Sequence, residues 1–206
     1  MEKNCLFYLV TITTTLFFFV IGGCVGKSPS SRFYRLTSIT ESQSDALPKN
    51  PTSDIAVGIG PVTIADYIDQ AKIVTRSSDN EIEQAEFDQW SGSFKNNITE
   101  VLAENIGSLL GSEKISIFPW RSYVFIDYQV LIDVIRCDGR LGKDVVLVVR
   151  WSVLKSKEKQ LVAMKRNRIN QAVDSAGYAA LVAAYSRVIG ELSREITETI
   201  QDDARK

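Results

Sequence analysis

Few residues in this chain have the types and spacing that chemistry requires. There is no histidine among 206 residues, and cysteine stands only at positions 5, 24 and 137. Without imidazole there is no Ser-His-Asp or Cys-His nucleophile, no HExxH zinc site and no histidine metal ligand. Carboxylates, lysines, tyrosines and thiols remain. Asp127 and Asp133 fall on one side of an alternating run, but six strand residues at about 3.3 Å each put them roughly 20 Å apart. Carboxylates that share a glycosidic bond stand about 5 to 10 Å apart, so this pair reads as solvated or ion-paired. Ser156-Lys157 has the types of a nucleophile and its base, yet sits in a charged turn that implies no pocket. Gly58-Ile59-Gly60 runs into Pro61 and lacks a glycine at 63, so it reads as a strand-end bend rather than a phosphate loop. Asn97-Ile98-Thr99 spells a glycosylation acceptor inside a helical pattern. Tyr67, Trp90, Tyr178 and Tyr185 could line a lipid or glycan groove, or anchor amphipathic elements to a core.

Cys24 stands where a definite covalent step is expected. Before it lie Lys3 in a short polar start, an apolar run from Leu6 to Val20 diluted by four threonines, and the small residues Gly22-Gly23. Those are the parts of an export signal. Ile21-Gly22-Gly23-Cys24 resembles the bacterial lipobox, which implies a diacylglycerol thioether on Cys24, cleavage before it and acylation of the new amine. No cofactor is expected beyond that covalent lipid. The competing reading is a retained membrane helix from Cys5 to Gly23, long enough for a hydrocarbon core of roughly 30 Å; the threonines, paired glycines and weak flanking charge count against it. Val25 is not the aspartate associated with inner-membrane retention, so the resemblance implies the periplasmic face of the outer membrane. Cys5 leaves with the signal and Cys24 becomes a thioether, which leaves Cys137 without an intramolecular partner and reads as a buried, inert thiol.

The elements that must position these residues form one domain. Residues 1–23 read as signal peptide, 24–32 as lipidated cysteine and polar tether, and 33–206 as a single domain large enough for its own core. The chain carries 24 basic and 25 acidic residues, and the signal removes Lys3 and Glu2, so the formal charge stays at −1. Such balance gives no polyanion footprint and argues against nucleic acid as a partner. Strand patterns occur at Phe33–Leu36, Ile55–Val62, Ile73–Arg76, near Ile82 and at Ile115–Phe118. Apolar residues three or four apart from Glu86 to Leu110 predict a helix stopped by Gly111. Alternation from Val124 to Ile135, a turn at Cys137–Gly142, an apolar return over Asp144–Leu154 and a third run over Leu161–Ile169 predict a meander. A second amphipathic helix is expected from a cap at Asp174 or Ser175 to about Ile200. Two long amphipathic helices on one face of a mostly antiparallel sheet of five or six strands give a two-layer α+β domain.

The ordered set "FYRL" (Phe33–Leu36), "IAVGIGPVTIADYIDQAKIVTRSSDNEIEQAEFDQW" (Ile55–Trp90) and "YQVLIDVIRCDGRLGKDVVLVVRWSVL" (Tyr128–Leu154), behind a lipobox, resembles the ABC-type transport auxiliary lipoproteins, the PqiC/YmbA-like family. Tyr34, Pro61, Val62, Tyr67, Asp69, Ile73, Val74, Arg76, Trp90 and Trp151 match its pattern, while Ala65 and Ile68 replace its usual proline and leucine. The resemblance implies a non-enzymatic, outer-membrane-anchored subunit of a system that pairs an ABC ATPase and permease with a mammalian-cell-entry (MCE) protein. Such systems move lipids or other hydrophobic molecules between membranes and support envelope integrity. A docking or scaffold role is the leading expectation; a carrier with a cleft between helices and sheet is the alternative. Tyr67, Ile68, Asp69 and Lys72 are the expected partner contacts, because they mix apolar and charged side chains; a core-capping Tyr67 is the other reading. Homo-oligomerisation stays open.

Cys24→Ser should abolish incorporation of labelled palmitate and release or stall the chain. Normal cleavage and outer-membrane fractionation of that variant would remove the lipoprotein reading.

Overall fold

The computed structural model of the chain describes residues 29–39 and 53–206; the readings on the signal segment and Cys24 lie outside them. In chain order the elements are β1 (Arg32–Tyr34), β2 (Val57–Ile64), β3 (Lys72–Arg76), β4 (Ile82–Trp90), α1 (Phe94–Leu110), β5 (Ile115–Ile117), β6 (Tyr128–Arg140), β7 (Asp144–Lys155), β8 (Gln160–Ala172) and α2 (Tyr178–Ala204). The expected α+β class holds, but the sheet has eight strands and is mixed, not mostly antiparallel with five or six. The meander β6-β7-β8 and the β3-β4 pair are antiparallel, while β1 on β4, β5 on β2, and both β2 and β3 on β6 are parallel. Parallel partners need long crossovers and leave no turn signal between them.

One edge of β6 runs along β7 for its whole length. Its other edge is divided: β2 holds Tyr128 to Val134, and β3 takes over at Gly139. The sheet therefore forks, with β2-β5 as one branch and β3-β4-β1 as the other. Alternation assigns the two faces. Val130, Ile132 and Val134 stand opposite Val153, Trp151 and Val149 and are all buried in the core with both helices. Gln129, Leu131 and Asp133 stand opposite Leu154, Ser152 and Arg150 on the outer face.

Several boundaries differ from the sequence reading: β1 and β2 are shifted, β6 starts at Tyr128 and not at Val124, so Asp127 lies before it, and three further changes matter for the site. The segment from Glu86 is still β4, and α1 starts only after Ser93, whose Oγ accepts a bond from the Asn96 N–H. Phe87 and Trp90 are three apart and so mimic a helical face. Cys137 to Arg140 continues β6, and the turn is confined to residues 141–143. Gly177, not Asp174 or Ser175, is the N-cap of α2; Asp174 instead pairs with Arg187 at 3.3 Å. Gly111 ends α1 as expected, in the left-handed conformation that favours glycine. Among the described residues no helix is long and apolar enough to cross a membrane.

Trp90 closes β4 instead of opening the helix, and it is 4 % exposed. Its ring stacks on Phe94 at 4.3 Å, and Tyr185 of α2 meets both rings edge-on at 5.7 and 5.5 Å. This trio joins the sheet to both helices. Trp90→Ala should lower stability by about 3 to 5 kcal/mol, seen as a markedly lower melting temperature; an unchanged one would show that the ring contributes no packing.

Candidate functional site

Two constellations stand out, one at the fork and one on the outer face. At the fork, Asp138 is 1 % exposed although it is a carboxylate. Its oxygens accept bonds from Tyr67 Oη (2.9 Å), Arg76 Nε and Nη2 (3.1 and 2.8 Å) and Arg136 Nε (2.9 Å). Burial alone would raise the Asp138 pKa; the bonds from Arg76, Arg136 and Tyr67 outweigh it and hold the carboxyl below its ordinary range. Burial and the bond to Asp138 push the Tyr67 phenol up to about 12. The cluster thus stays one anion between two cations across the physiological range, which makes it a structural pin with no group poised to exchange protons.

The pin fixes the corner between β2 and β3. Of the expected contact residues there, Ile68 is 2 % exposed and belongs to the core, and Tyr67 is half-buried with its hydroxyl on Asp138. Asp69 is exposed and accepts bonds from Ser93 Oγ and the Lys95 N–H, both 3.2 Å; Lys72 is half-buried in β3. The corner therefore offers a partner its carboxylates Asp66 and Asp69, while Ile68 faces inward.

The outer face carries the second constellation. Between β5 and β6 runs Phe118-Pro119-Trp120-Arg121-Ser122-Tyr123-Val124-Phe125-Ile126. Phe118, Tyr123 and Phe125 are 49 %, 70 % and 85 % exposed. This aromatic ledge is seated on the two glycines that the sequence reading took for a bend. A Cβ at Gly58 would stand 2.9 Å from the Trp120 ring, and one at Gly60 would stand 2.9 Å from Phe118 Cβ. Gly60 also has φ +114°, which side chains resist. Gln129 Nε2 donates to the Gly60 carbonyl at 2.9 Å and ties the seat to β6. Between the ledge and the β7–β8 turn lies an open cavity of about 520 Å³, lined by Trp120, Phe125, Ile126, Leu154, Ser156 and Lys157 among others. Apolar walls with lysines at the mouth suit an amphipathic contact.

The residues weighed for catalysis are not brought together. Asp127 accepts the Ala56 N–H at 2.9 Å; Asp133 accepts Thr63 Oγ1 at 2.8 Å and faces Arg150 at 3.6 Å. Ser156 Oγ is buried with no partner among the described residues, so no base stands within hydrogen-bond reach of it. Cys137 is buried and burial pushes its thiol pKa up, away from the reactive thiolate. Among the described residues no three His, Cys, Asp or Glu are grouped to hold a metal ion. Tyr34 and Arg32 both donate to the buried Asp88, at 2.7 and 2.8 Å, and so fasten β1 to β4. Trp151 is buried, donates to Asn167 at 3.0 Å and lies under the Lys165 ammonium. Pro61 is exposed on the outer face beside Leu131 and Asp133.

Residues 34–197 match the family described as ABC-type transport auxiliary lipoprotein component. The chain belongs to that family. The matched span runs from the end of β1 into α2 and so includes this chain's fork and ledge. Among curated protein sequences none matches the chain. Among the solved structures that match, two show the shared fold over most of the chain. Protein XCC0632 from Xanthomonas campestris, which carries the family label DUF330, is 18 % identical over 85 % of this chain and 100 % of that one, with a TM-score of 0.67. An uncharacterised protein is also 18 % identical, over 84 % and 99 %, with a TM-score of 0.66.

Asp138 and the ledge aromatics are the residues that the sequence reading missed. The signal for the ledge was present, since four aromatic residues around one proline between two strands is a composition that a plain turn does not need. Truncating Asp138 to alanine strands two arginines and should cost about 3 to 5 kcal/mol at neutral pH. Because its folded pKa is depressed, the carboxylate stabilises the fold above the unfolded value of about 3.9 and loses that contribution as pH falls through the folded value. Denaturation of wild type and Asp138→Ala should therefore differ most near neutrality and converge in acid; a pH-independent gap would assign the loss to packing alone.

Proposed function

We propose that this auxiliary lipoprotein component is anchored through Cys24 at the periplasmic face of the outer membrane. There it docks the periplasmic end of an MCE protein and, through it, an ABC permease and ATPase that move lipids or other hydrophobic molecules. The family match supports the transport part of this reading. The observation that favours docking over carrying is the filled space between helices and sheet. Leu102, Ile106, Leu147, Trp151, Tyr185 and Ile189 are among the largest fully buried side chains and belong to the one core cluster that joins both helices to the sheet. A carrier needs an apolar cavity of a few hundred Å³ there. The described cavity at the ledge opens on the outer face, where it suits a contact surface. The carboxylates Asp66 and Asp69 on the fork corner are a further part of the surface within a partner's reach.

Crosslinking of intact cells, membrane solubilisation and capture of the full-length chain should bring down an MCE-domain protein with its permease, identified by mass spectrometry. Asp66→Lys/Asp69→Lys should weaken that capture without lowering the melting temperature. A chain that yields stoichiometric lipid and no MCE protein would replace the docking account with the carrier.

A further inference from the structure

The outer sheet face continues past the ledge, and its side chains change character in a regular order. Next to the ledge the cross-strand rows carry uncharged side chains, three of them apolar: Leu154 stands opposite Leu161, and Ser152 opposite Met164. Leu161 and Met164 are exposed large apolar side chains. The following rows are cationic. Arg150 stands opposite Arg166, and Val148 opposite Arg168. Like charges directly across a strand pair repel, and the acid facing Arg150 is the half-exposed Asp133 at 3.6 Å. Arg166 and Arg168 are exposed and form no ion pair among the described residues. At the other end of the apolar zone, Arg121, Lys157 and Lys159 are exposed around the ledge, with Glu158 and Asp127 as the nearby acids. Both helices lie against the opposite face.

A chain with a formal charge of −1 thus gathers exposed aromatic and aliphatic side chains on one face, bordered on two sides by cations, of which Arg166 and Arg168 form no ion pair among the described residues. We propose that this face lies on an anionic phospholipid bilayer, with Trp120, Tyr123 and Phe125 at headgroup level and the flanking arginines and lysines against lipid phosphates. Three features select a bilayer over an acidic protein. The ledge mixes Trp, Tyr and Phe, the residues that concentrate at membrane–water interfaces. Its tip residue Phe125 is 85 % exposed, an extent suited to insertion rather than to a shaped pocket. The cations lie on long, flexible stems around an apolar centre, the layout of interfacial segments that bind anionic lipid. This contact goes beyond the docking reading: it is made by the folded domain itself, in addition to any lipid on Cys24, and it fixes which way the domain faces.

The test uses the full-length chain reconstituted into vesicles of phosphatidylcholine, with and without phosphatidylglycerol, that carry bromine on the acyl chains. Three tryptophans report; Trp90 and Trp151 are buried in the core, so Trp120→Phe supplies the background. Wild type should lose a fraction of its emission that the Trp120→Phe chain does not lose, more in the phosphatidylglycerol vesicles than in phosphatidylcholine alone. Lys157→Glu/Lys159→Glu and 1 M salt should each reduce that loss, the salt arm requiring no mutant to fold. Emission from wild type no more quenched than from Trp120→Phe, in vesicles that hold the protein, would overturn the proposal, as would quenching indifferent to both lipid charge and salt. Protection of the face by a captured acidic protein, without quenching, would overturn it as well. Loss of MCE capture with lipid contact intact would instead count against the docking reading alone.

Discussion

One buried carboxylate holds the architecture at its point of greatest geometric demand. β6 must pass an edge from β2 to β3, and between Val134 and Gly139 neither strand pairs with it. Backbone polar groups in such a gap need cover. The corner after β2 supplies it, with Ile68 driven into the core and the Ala65 N–H on the Val134 carbonyl at 3.2 Å. Asp138 draws three elements together there: Tyr67 from the corner, Arg76 from β3 and Arg136 from β6. An isolated charge at this depth would be costly, and the two guanidinium groups offset that cost only while the fork is closed. The pin thus makes the two branches of the sheet mutually dependent.

A second constraint operates at the far end of β6. The absence of side chains at Gly58 and Gly60 lets the Trp120 ring and Phe118 Cβ approach the backbone of β2, and the Phe118 N–H on the Ile59 carbonyl at 2.9 Å and the Asp127 N–H on the Ala56 carbonyl at 2.8 Å hold the two ends of the ledge. A rigid seat matters for a contact surface. Exposed aromatics on a mobile loop lose rotamer and backbone freedom on binding, whereas Trp120 and Phe118, held against β2, have lost part of it on folding. The fork and the ledge lie on the two ends of one strand, so an orientation imposed at the ledge passes to the corner through a continuous sheet.

Legibility in the sequence followed the range of the interactions. The α1 stripe, its Gly111 stop and the β6-β7-β8 meander were readable because their signals lie within a few residues of each other. The parallel branches were not, since Val57 pairs with Tyr128 and Ile115 across a helical crossover with no local mark. Trp90 was read as part of a helix because Phe87, Trp90 and Phe94 are spaced three and four apart, and the Gly92-Ser93 start signal is visible only once β4 is allowed to end. Asp138 was hidden by its neighbours: Cys137-Asp138-Gly139 has turn composition, and its partners Tyr67 and Arg76 lie 71 and 62 residues away. Tyr67 and Arg76 were picked out through resemblance without the reason, which is that they share this one anion.

The two faces of the sheet divide the work of the chain. The inner face is closed by Trp90, Phe94 and Tyr185 at one end and by Tyr128 at the other, where its hydroxyl meets Asp203 of α2 together with Lys155. Both ends of the layer are thus tied, with one cluster of buried side chains between them. The outer face and the fork corner differ in sign: arginines and lysines stand on the former, Asp66 and Asp69 on the latter. A domain whose surfaces of opposite charge are joined by a stiff sheet can meet two unlike neighbours at once, and the geometry between them is set by β6, not by either neighbour.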